Sequence, residues 1–269
     1  MSSIALVTGA SSGIGFETAR RLAGEGRTVI MHTRTHDDGV ATVRRLGAAG
    51  VDPALLDFAV ADFTRLHEVV TMVDEIVERY QRIDLLVNNA GIAGPDARTL
   101  TEDGNEVTLQ VNYLAAFLLT RLLDEPLRRA GNARVINVSS SLHKGGDIDW
   151  TDINRRQRYL RGAAYAQSKL ALTVFTTAFA RGTAGARTAI SVHPGVVDTA
   201  VLRAYGHRGR PVGAAADVIA HLASPNTTVR NGGYYDERVL GTPSPVVLDS
   251  RAGDRLWKLS ERLITAPVA

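Results

Sequence analysis

The sequence opens on IALVTGASSGIG, residues 4–15, where an apolar run breaks at Thr8 and Gly9, passes Ser11 and Ser12, and reaches Gly13, Ile14 and Gly15. That order of residue types predicts a buried strand, a tight turn and a helix start. Glycines at these points let the chain turn sharply, let a ligand lie against bare backbone, and let helix and strand pack closely. Unpaired amides at the helix start then attract a pyrophosphate. The chemistry expected here is dinucleotide binding. Far along the chain, Tyr165 and Lys169 stand four residues apart in AYAQSKLAL. On a helix that spacing stacks a phenol and an ammonium on one face.

The hydrophobic pattern supplies the elements that must bring these groups together. After Gly15, Phe16, Ala19, Leu22 and Ala23 recur at helical spacing until Gly24 and Gly26 end the helix. A second strand spans 28–32 and runs into Arg34 within MHTRT. Beyond the second strand of a dinucleotide fold, an acid bonds the ribose 2′-hydroxyl and an arginine pairs with a 2′-phosphate. With no acid and Arg34 in place, NADP(H) is expected over NAD(H). A helix at about 39–49, a strand at 55–60 and a helix at 64–80 follow, with Asp62 at the handover, placed either to accept from an adenine amino group or to cap the helix. The strand at 85–87 ends in Asn88, Asn89, Ala90 and Gly91, small residues and amides that suit a close-lying cofactor.

A long helix is expected over about 102–129, with Pro126 near its end and Asn112 among Val111, Leu114, Ala115, Phe117 and Leu118. A buried amide in that setting needs partners, either structural or an ordered water. The strand at 134–138 precedes Ser139, Ser140 and Ser141. A polar excursion occupies about 143–162, and a helix then carries Tyr165 through Phe179. The strand at 188–192 leads to His193, Pro194 and Gly195, a loop at about 199–213, a helix near 214–223, a last strand around 233–235 and a basic C-terminal segment with Trp257. Alternating strands and helices without repeats predict one α/β domain over residues 1–269. Its expected form is a doubly wound, Rossmann-type parallel sheet of about seven strands, covered by helices on both faces, with ligands beyond the carboxyl ends of the strands.

Composition narrows the function classes. Hydrophobic residues at 45% and charged residues at 22% are ordinary for a globular protein. With no cysteine there is no disulfide and no thiolate chemistry, which agrees with a reducing compartment. A formal charge of +3 is small, and the densest basic group, Arg155, Arg156, Arg158 and Arg161, reads as a solvated segment rather than a nucleic-acid site. No apolar run approaches the roughly 18 residues of a membrane span, so a cytoplasmic protein without membrane or nucleic-acid partners is expected. No metal site is expected: His32 and His36 are four apart, but His32 ends a strand.

These elements together resemble the short-chain dehydrogenase/reductases over nearly the whole length, with TGASSGIG, NNAG, the serine, YxxxK and PG in order. RVINVSSSLH, AYAQSKLAL and SVHPGVVDT resemble the branch that contains retinol dehydrogenases and related reductases of lipophilic carbonyls. The resemblance implies an enzyme that moves hydride between a nicotinamide and a ketone, aldehyde or alcohol. Hydride addition to a carbonyl leaves charge on oxygen, so a proton donor and a hydrogen-bond donor are required there. By resemblance Tyr165 is that acid or base. Bringing a phenol down by about three units from its ordinary value takes about 4 kcal/mol, part of which Lys169 supplies.

The same resemblance gives Lys169 the nicotinamide ribose and gives Ser140 the substrate oxygen, with Ser139 and Ser141 as neighbouring alternatives. It makes Asn112 the holder of a water linking Lys169 to solvent. Asp62 and Phe63 then border adenine, Asn89 with Ala90 and Gly91 backs the cofactor, and Pro194, Gly195, Val197 and Thr199 lie by the nicotinamide. The substrate lining is expected from Ala93, Gly94, Trp150, the loop at 201–210 and Trp257. Ser140 and Tyr165 are 25 residues apart, a long separation for the family. The insertion either lids the substrate or covers a helix used for subunit pairing, which leaves a homo-oligomer open. Two other functions fit parts of the pattern: acid-base work on a C=N, C=C or epimerisable centre, and a silent dinucleotide-sensing or scaffold protein.

Overall fold

In the computed structural model, which describes residues 3–182 and 187–265, one sheet of eight strands organises the chain. The strands are β1 (Ile4–Val7), β2 (Thr28–Thr33), β3 (Leu56–Val60), β4 (Leu85–Asn88), β5 (Ala133–Val138), β6 (Arg187–His193), β7 (Tyr234–Asp236) and β8 (Val239–Gly241). Their order is β3-β2-β1-β4-β5-β6-β7-β8, parallel throughout except for the antiparallel β7–β8 pair. The chain reverses direction across the sheet between β1 and β4, and at such a switch point two loops diverge and leave a crevice.

Strand alternation buries both faces. Leu6, Ile30, Leu86, Val135 and Ala189 pack into one layer, while Ala5, Val7, Val29, Met31, Val87 and Ile190 pack into the other. The second layer is closed by α1 (Gly13–Gly24), α2 (His36–Ala48) and α9 (Val212–Ala223). The first is closed by α3 (Leu66–Arg79), α5 (Ala115–Leu122), α7 (Arg161–Arg181) and α11 (Ser250–Thr265). Because α7 lies between the sheet and α11, it is buried nearly all round, and its polar residues Ser168, Lys169, Thr173 and Thr176 are inside.

Several boundaries differ from expectation. The helix expected from 102 starts only at α4 (Val107–Leu109), because Gly104 turns the chain with φ +77° and the Glu106 carboxylate caps the amides of Thr108 and Leu109. It continues through a wide π-turn (Gln110–Leu114) into α5 and breaks before α6 (Asp124–Arg129). Pro126 lacks the amide that would bond the carbonyl of Leu122, which accounts for the break. Helix α2 begins at His36 rather than 39, where the Thr35 hydroxyl accepts from the Asp38 amide. The eighth strand and the helices α8 (Ala200–Ala204) and α10 (Pro245–Leu248) carry too few residues to show a period.

The polar excursion is stitched onto the main body. Ile148 and Ile153 join the first core layer, Gln167 of α7 donates to the Ile153 carbonyl (2.8 Å), and the Tyr159 hydroxyl donates to the Pro95 carbonyl (2.9 Å). Trp257 packs edge-on against Phe117 (5.3 Å between centroids) and lies 5.8 Å from Phe175, inside this layer. Trp257→Ala is therefore expected to lower the unfolding free energy by about 2–3 kcal/mol, below the range for a fully buried ring because this one is partly covered. Nucleotide affinity should stay unchanged. Urea melts and a nucleotide titration check both halves.

Candidate active site

The crevice at the carboxyl ends of the strands is a single cleft of about 1410 Å³. Its phosphate end is the turn from β1 into α1. Gly9 takes φ +64°, and a side chain there would press on the Cα of Ala90 at 2.9 Å. The Thr8 hydroxyl accepts from the amides of Asn89 and Ala90 (both 2.9 Å), and the Asn89 side chain donates back to the carbonyls of Thr8 (2.8 Å) and Gly9 (3.3 Å). Ser11, Ser12, Gly13 and Ile14 line the cleft, and Gly13, at φ +59°, has open space beside it. The Ser12 side chain makes no capping bond, and no acid stands in the first turn of α1. Free amides, a bare glycine and no opposing carboxylate are what a pyrophosphate requires, so the residues fit a dinucleotide. Gly15 lies behind the turn, where a side chain would collide with the Gly9 carbonyl.

The adenosine end is built by the loops after β2 and β3. Arg34 is exposed on the cleft wall, and among the described residues its guanidinium has no hydrogen-bond or ion-pair partner. The nearby acid Asp38 is engaged by the Thr35 hydroxyl at 2.8 Å. Asp62 lines the cleft, but one of its oxygens accepts from the amide (2.9 Å) and hydroxyl (2.8 Å) of Thr64, closing an Asx turn before α3. The turn lies ahead of α3, whose N-cap is Arg65, so Asp62 does not cap the helix itself.

Phe63, 5% exposed, also lines the cleft and stacks on His32 with centroids 4.0 Å apart. His32 is a site residue that sequence reasoning passed over. Its Nδ1 accepts from the Gly9 amide (3.1 Å), so its Nε2 carries the proton donated to the Ala61 carbonyl (2.9 Å). Burial pulls its pKa down to about 4, which keeps the ring neutral.

The reaction end is framed by β5, α7 and the loop after β6. Ser139 points inward to Thr173 (2.7 Å), whereas Ser140 and Ser141 line the cleft. Tyr165, in the second turn of α7, and Lys169, one turn later, both line it and are both buried. Burial pushes the Tyr165 phenol up to about 12, against a lowering influence of the nearby Ser140 hydroxyl. Burial also draws the Lys169 ammonium down to about 8, and its Nζ donates to the Val138 carbonyl at 2.8 Å.

Asn112 stands behind Lys169, at the middle of the π-turn. Its side chain accepts from the Ile92 amide (2.7 Å) and donates to the Ile92 carbonyl and the Ser168 hydroxyl (both 3.0 Å). A side chain at Gly91 would lie 3.2 Å from Asn112 Oδ1 and 3.3 Å from Lys169 Nζ, so this glycine lets the three segments meet. Pro194, Gly195, Val197 and Thr199 close the opposite wall, and the Thr199 hydroxyl caps α8 at the Leu202 amide (3.2 Å). Every cofactor and catalytic residue expected from sequence except Gly15 and Asn112 borders the cleft itself.

The substrate lining matches expectation at the 201–210 loop and departs from it at Ala93, Gly94, Trp150 and Trp257. Leu142, Val196, Val201, Leu202 and Tyr205 border the cleft, and the Tyr205 ring lies 6.1 Å from that of Tyr165. Trp257 packs, partly covered, against the first core layer, and the Trp150 ring packs against the same layer and under the Arg255 guanidinium (4.5 Å). Ala93 stands behind the wall as the carbonyl that receives the Tyr205 hydroxyl (3.2 Å), while Gly94 abuts Thr108 and Tyr159. An isolated tryptophan in a sequence carries no sign of which surface it faces, and one core layer claimed both rings.

Residues 3–208 match the family model described as short chain dehydrogenase. Retinol dehydrogenase 13 of Homo sapiens is 32% identical over 278 residues, covering 96% of this chain and 83% of that protein. A Streptomyces sp. (strain C5) protein that carries the name of a daunorubicin C-13 ketoreductase is 37% identical over 265 residues, covering 95% and 90%. Among solved structures, a variant of actinorhodin polyketide ketoreductase with NADPH superposes with a TM-score of 0.71 at 27% identity, covering 87% of this chain and 95% of that one. The crevice between β1 and β4, with the glycine turn at one end and Tyr165 and Lys169 at the other, is the candidate site of an oxidoreductase that uses a nicotinamide cofactor on alcohol or carbonyl groups, for the chain belongs to the short-chain dehydrogenase family.

Proposed function

We propose that the protein is an NADP(H)-dependent oxidoreductase that interconverts a ketone or aldehyde with its alcohol, Tyr165 serving as acid and base. The observation that carries this reading is the buried phenol of Tyr165 with Lys169 one helical turn away and Ser140 lining the same cleft. A bound nicotinamide supplies the hydride donor or acceptor. The glycine turn holds the pyrophosphate, and Lys169 holds the ribose hydroxyls. Ser140 donates to the substrate oxygen and orients it, while Tyr165 donates its proton to that oxygen as charge develops.

Burial favours the reducing direction, because a phenol held at about 12 keeps its proton at neutral pH until the oxygen demands it. For oxidation the phenolate must form, which from that value takes about 7 kcal/mol of anion stabilisation at pH 7. Lys169 and the cationic oxidised ring share that task. Leu142 and Val196 remain 51% and 54% exposed at the cleft, and with Val201, Leu202 and Tyr205 they offer an apolar wall that suits a lipophilic carbonyl. The unpartnered Arg34 supports NADP(H), since a planar guanidinium matches a 2′-phosphate.

Three measurements test this reading. Tyr165→Phe should abolish turnover of a carbonyl panel while leaving NADPH affinity within about twofold. Substantial residual turnover would remove Tyr165 from the chemistry. Arg34→Ala should weaken NADPH at least about tenfold and NADH hardly at all, in parallel titrations, since one charge-assisted phosphate contact is at stake; equal losses would end the case for the phosphate.

The third measurement concerns the ammonium. Lys169 falls from 10.5 to about 8 on folding, so between those values the unfolded chain holds a proton that the folded one lacks, and its contribution to stability rises with pH. By urea melts, the stability of the wild type relative to Lys169→Met should increase by about 2 kcal/mol from pH 7 to 9.5. A difference that does not change with pH would show that the lysine stays charged.

A further inference from the structure

The loops after β1 and β3 meet on one side chain of β2, the strand between them. His32 is 4% exposed. Its Nδ1 takes the Gly9 amide at 3.1 Å, its Nε2 donates to the Ala61 carbonyl at 2.9 Å, and its ring lies flat on Phe63, 4.0 Å away with 9° between planes. The backbone carbonyl of the same residue accepts from the Ala10 amide at 3.0 Å. His32 therefore engages the first two amides of the glycine turn, and those of Ser11 to Ile14, which border the cleft, are the ones left for a ligand.

We infer that His32 is a positioning residue for the cofactor: its unprotonated Nδ1 anchors Gly9 in the left-handed turn and so aims the glycine loop at the pyrophosphate, while Phe63 ties that loop to the adenine wall. The inference rests on the nicotinamide-cofactor reading of this cleft. The donor pattern leaves no choice of tautomer, because Gly9 contributes an N–H and Ala61 a carbonyl. A residue that supplies only ring volume would serve equally well as leucine. One that supplies an acceptor at the Nδ1 position would be replaced by asparagine, whose Oδ1 falls there, and not by glutamine, whose amide reaches the Nε2 position.

The test is a fluorescence titration of NADPH with the wild type and His32→Asn, His32→Gln and His32→Leu. Loss of the Gly9 anchor should weaken binding about tenfold in the Gln and Leu variants, the scale of one lost buried hydrogen bond, and Asn should stay within about threefold of wild type. Equal affinities in all four proteins, or a loss in Asn as large as in Leu, overturns the inference. A second measurement holds if any variant fails to fold. In the wild type at neutral pH, ¹⁵N spectra of the imidazole should show Nδ1 bare and Nε2 protonated, with the Gly9 amide protected from exchange; the opposite tautomer overturns the inference as well. If the wild type itself binds no NADPH, the cofactor reading fails, and the tautomer still decides whether His32 anchors the loop.

Discussion

A reciprocal hydrogen-bonded clasp joins the loops after β1 and β4. Thr8 accepts from the amides of Asn89 and Ala90, and Asn89 donates to the carbonyls of Thr8 and Gly9. Those loops leave neighbouring strands and diverge at the switch in strand order, so beyond the Thr8 amide, which still bonds the Val87 carbonyl at 3.0 Å, the sheet ladder no longer holds them. The clasp does, at a separation so close that Gly9 and Gly15 have no room for a side chain. Each buried polar group involved is matched, which removes the penalty that unpaired amides would otherwise impose. The width of the crevice at this point follows from this one contact set.

From the clasp a buried polar column runs down to the reaction end. The Asn88 side chain donates to Asn137 (2.7 Å) and Thr120 (3.0 Å), Asn137 donates to Thr176 (2.8 Å), and Ser139 pairs with Thr173 on the same helix. The column sets α7 in register against β4 and β5, and that register carries Tyr165 and Lys169 to the ends of the strands. A purely apolar contact would allow the helix to slide, whereas directional bonds at successive turns do not. The π-turn at Gln110–Leu114 completes the arrangement by seating Asn112 between Ile92 and Ser168. Such turns widen the helix locally and often mark functional sites.

Strand alternation explains why three successive serines have different fates. Asn137 and Ser139 share the face that meets α7, so Ser140 turns the other way and reaches the cleft. The tertiary environment then determines reactivity. The same burial that keeps the Tyr165 proton in place weakens the ammonium of Lys169. A pair that sequence describes as a phenol beside a cation is, in the folded protein, two desolvated groups whose charges depend on what else enters the cleft.

The sequence by itself determined the alternating α/β plan, the glycine turn, the Tyr165–Lys169 stack and an arginine just past β2 with no acid in its segment, because each is a property of neighbouring residues or of a short period. It also indicated an amide at Asn112 in need of partners. Only the tertiary structure decided which partners those are, that the helix expected from 102 begins later and widens at Asn112, that a short eighth strand closes the sheet, that Trp150 and Trp257 belong to packing, and that His32 joins the loops after β1 and β3. These depend on strand order and register. His32 meets Gly9 and Phe63 only because β2 lies between β1 and β3, and no local pattern in the chain records which strands become neighbours.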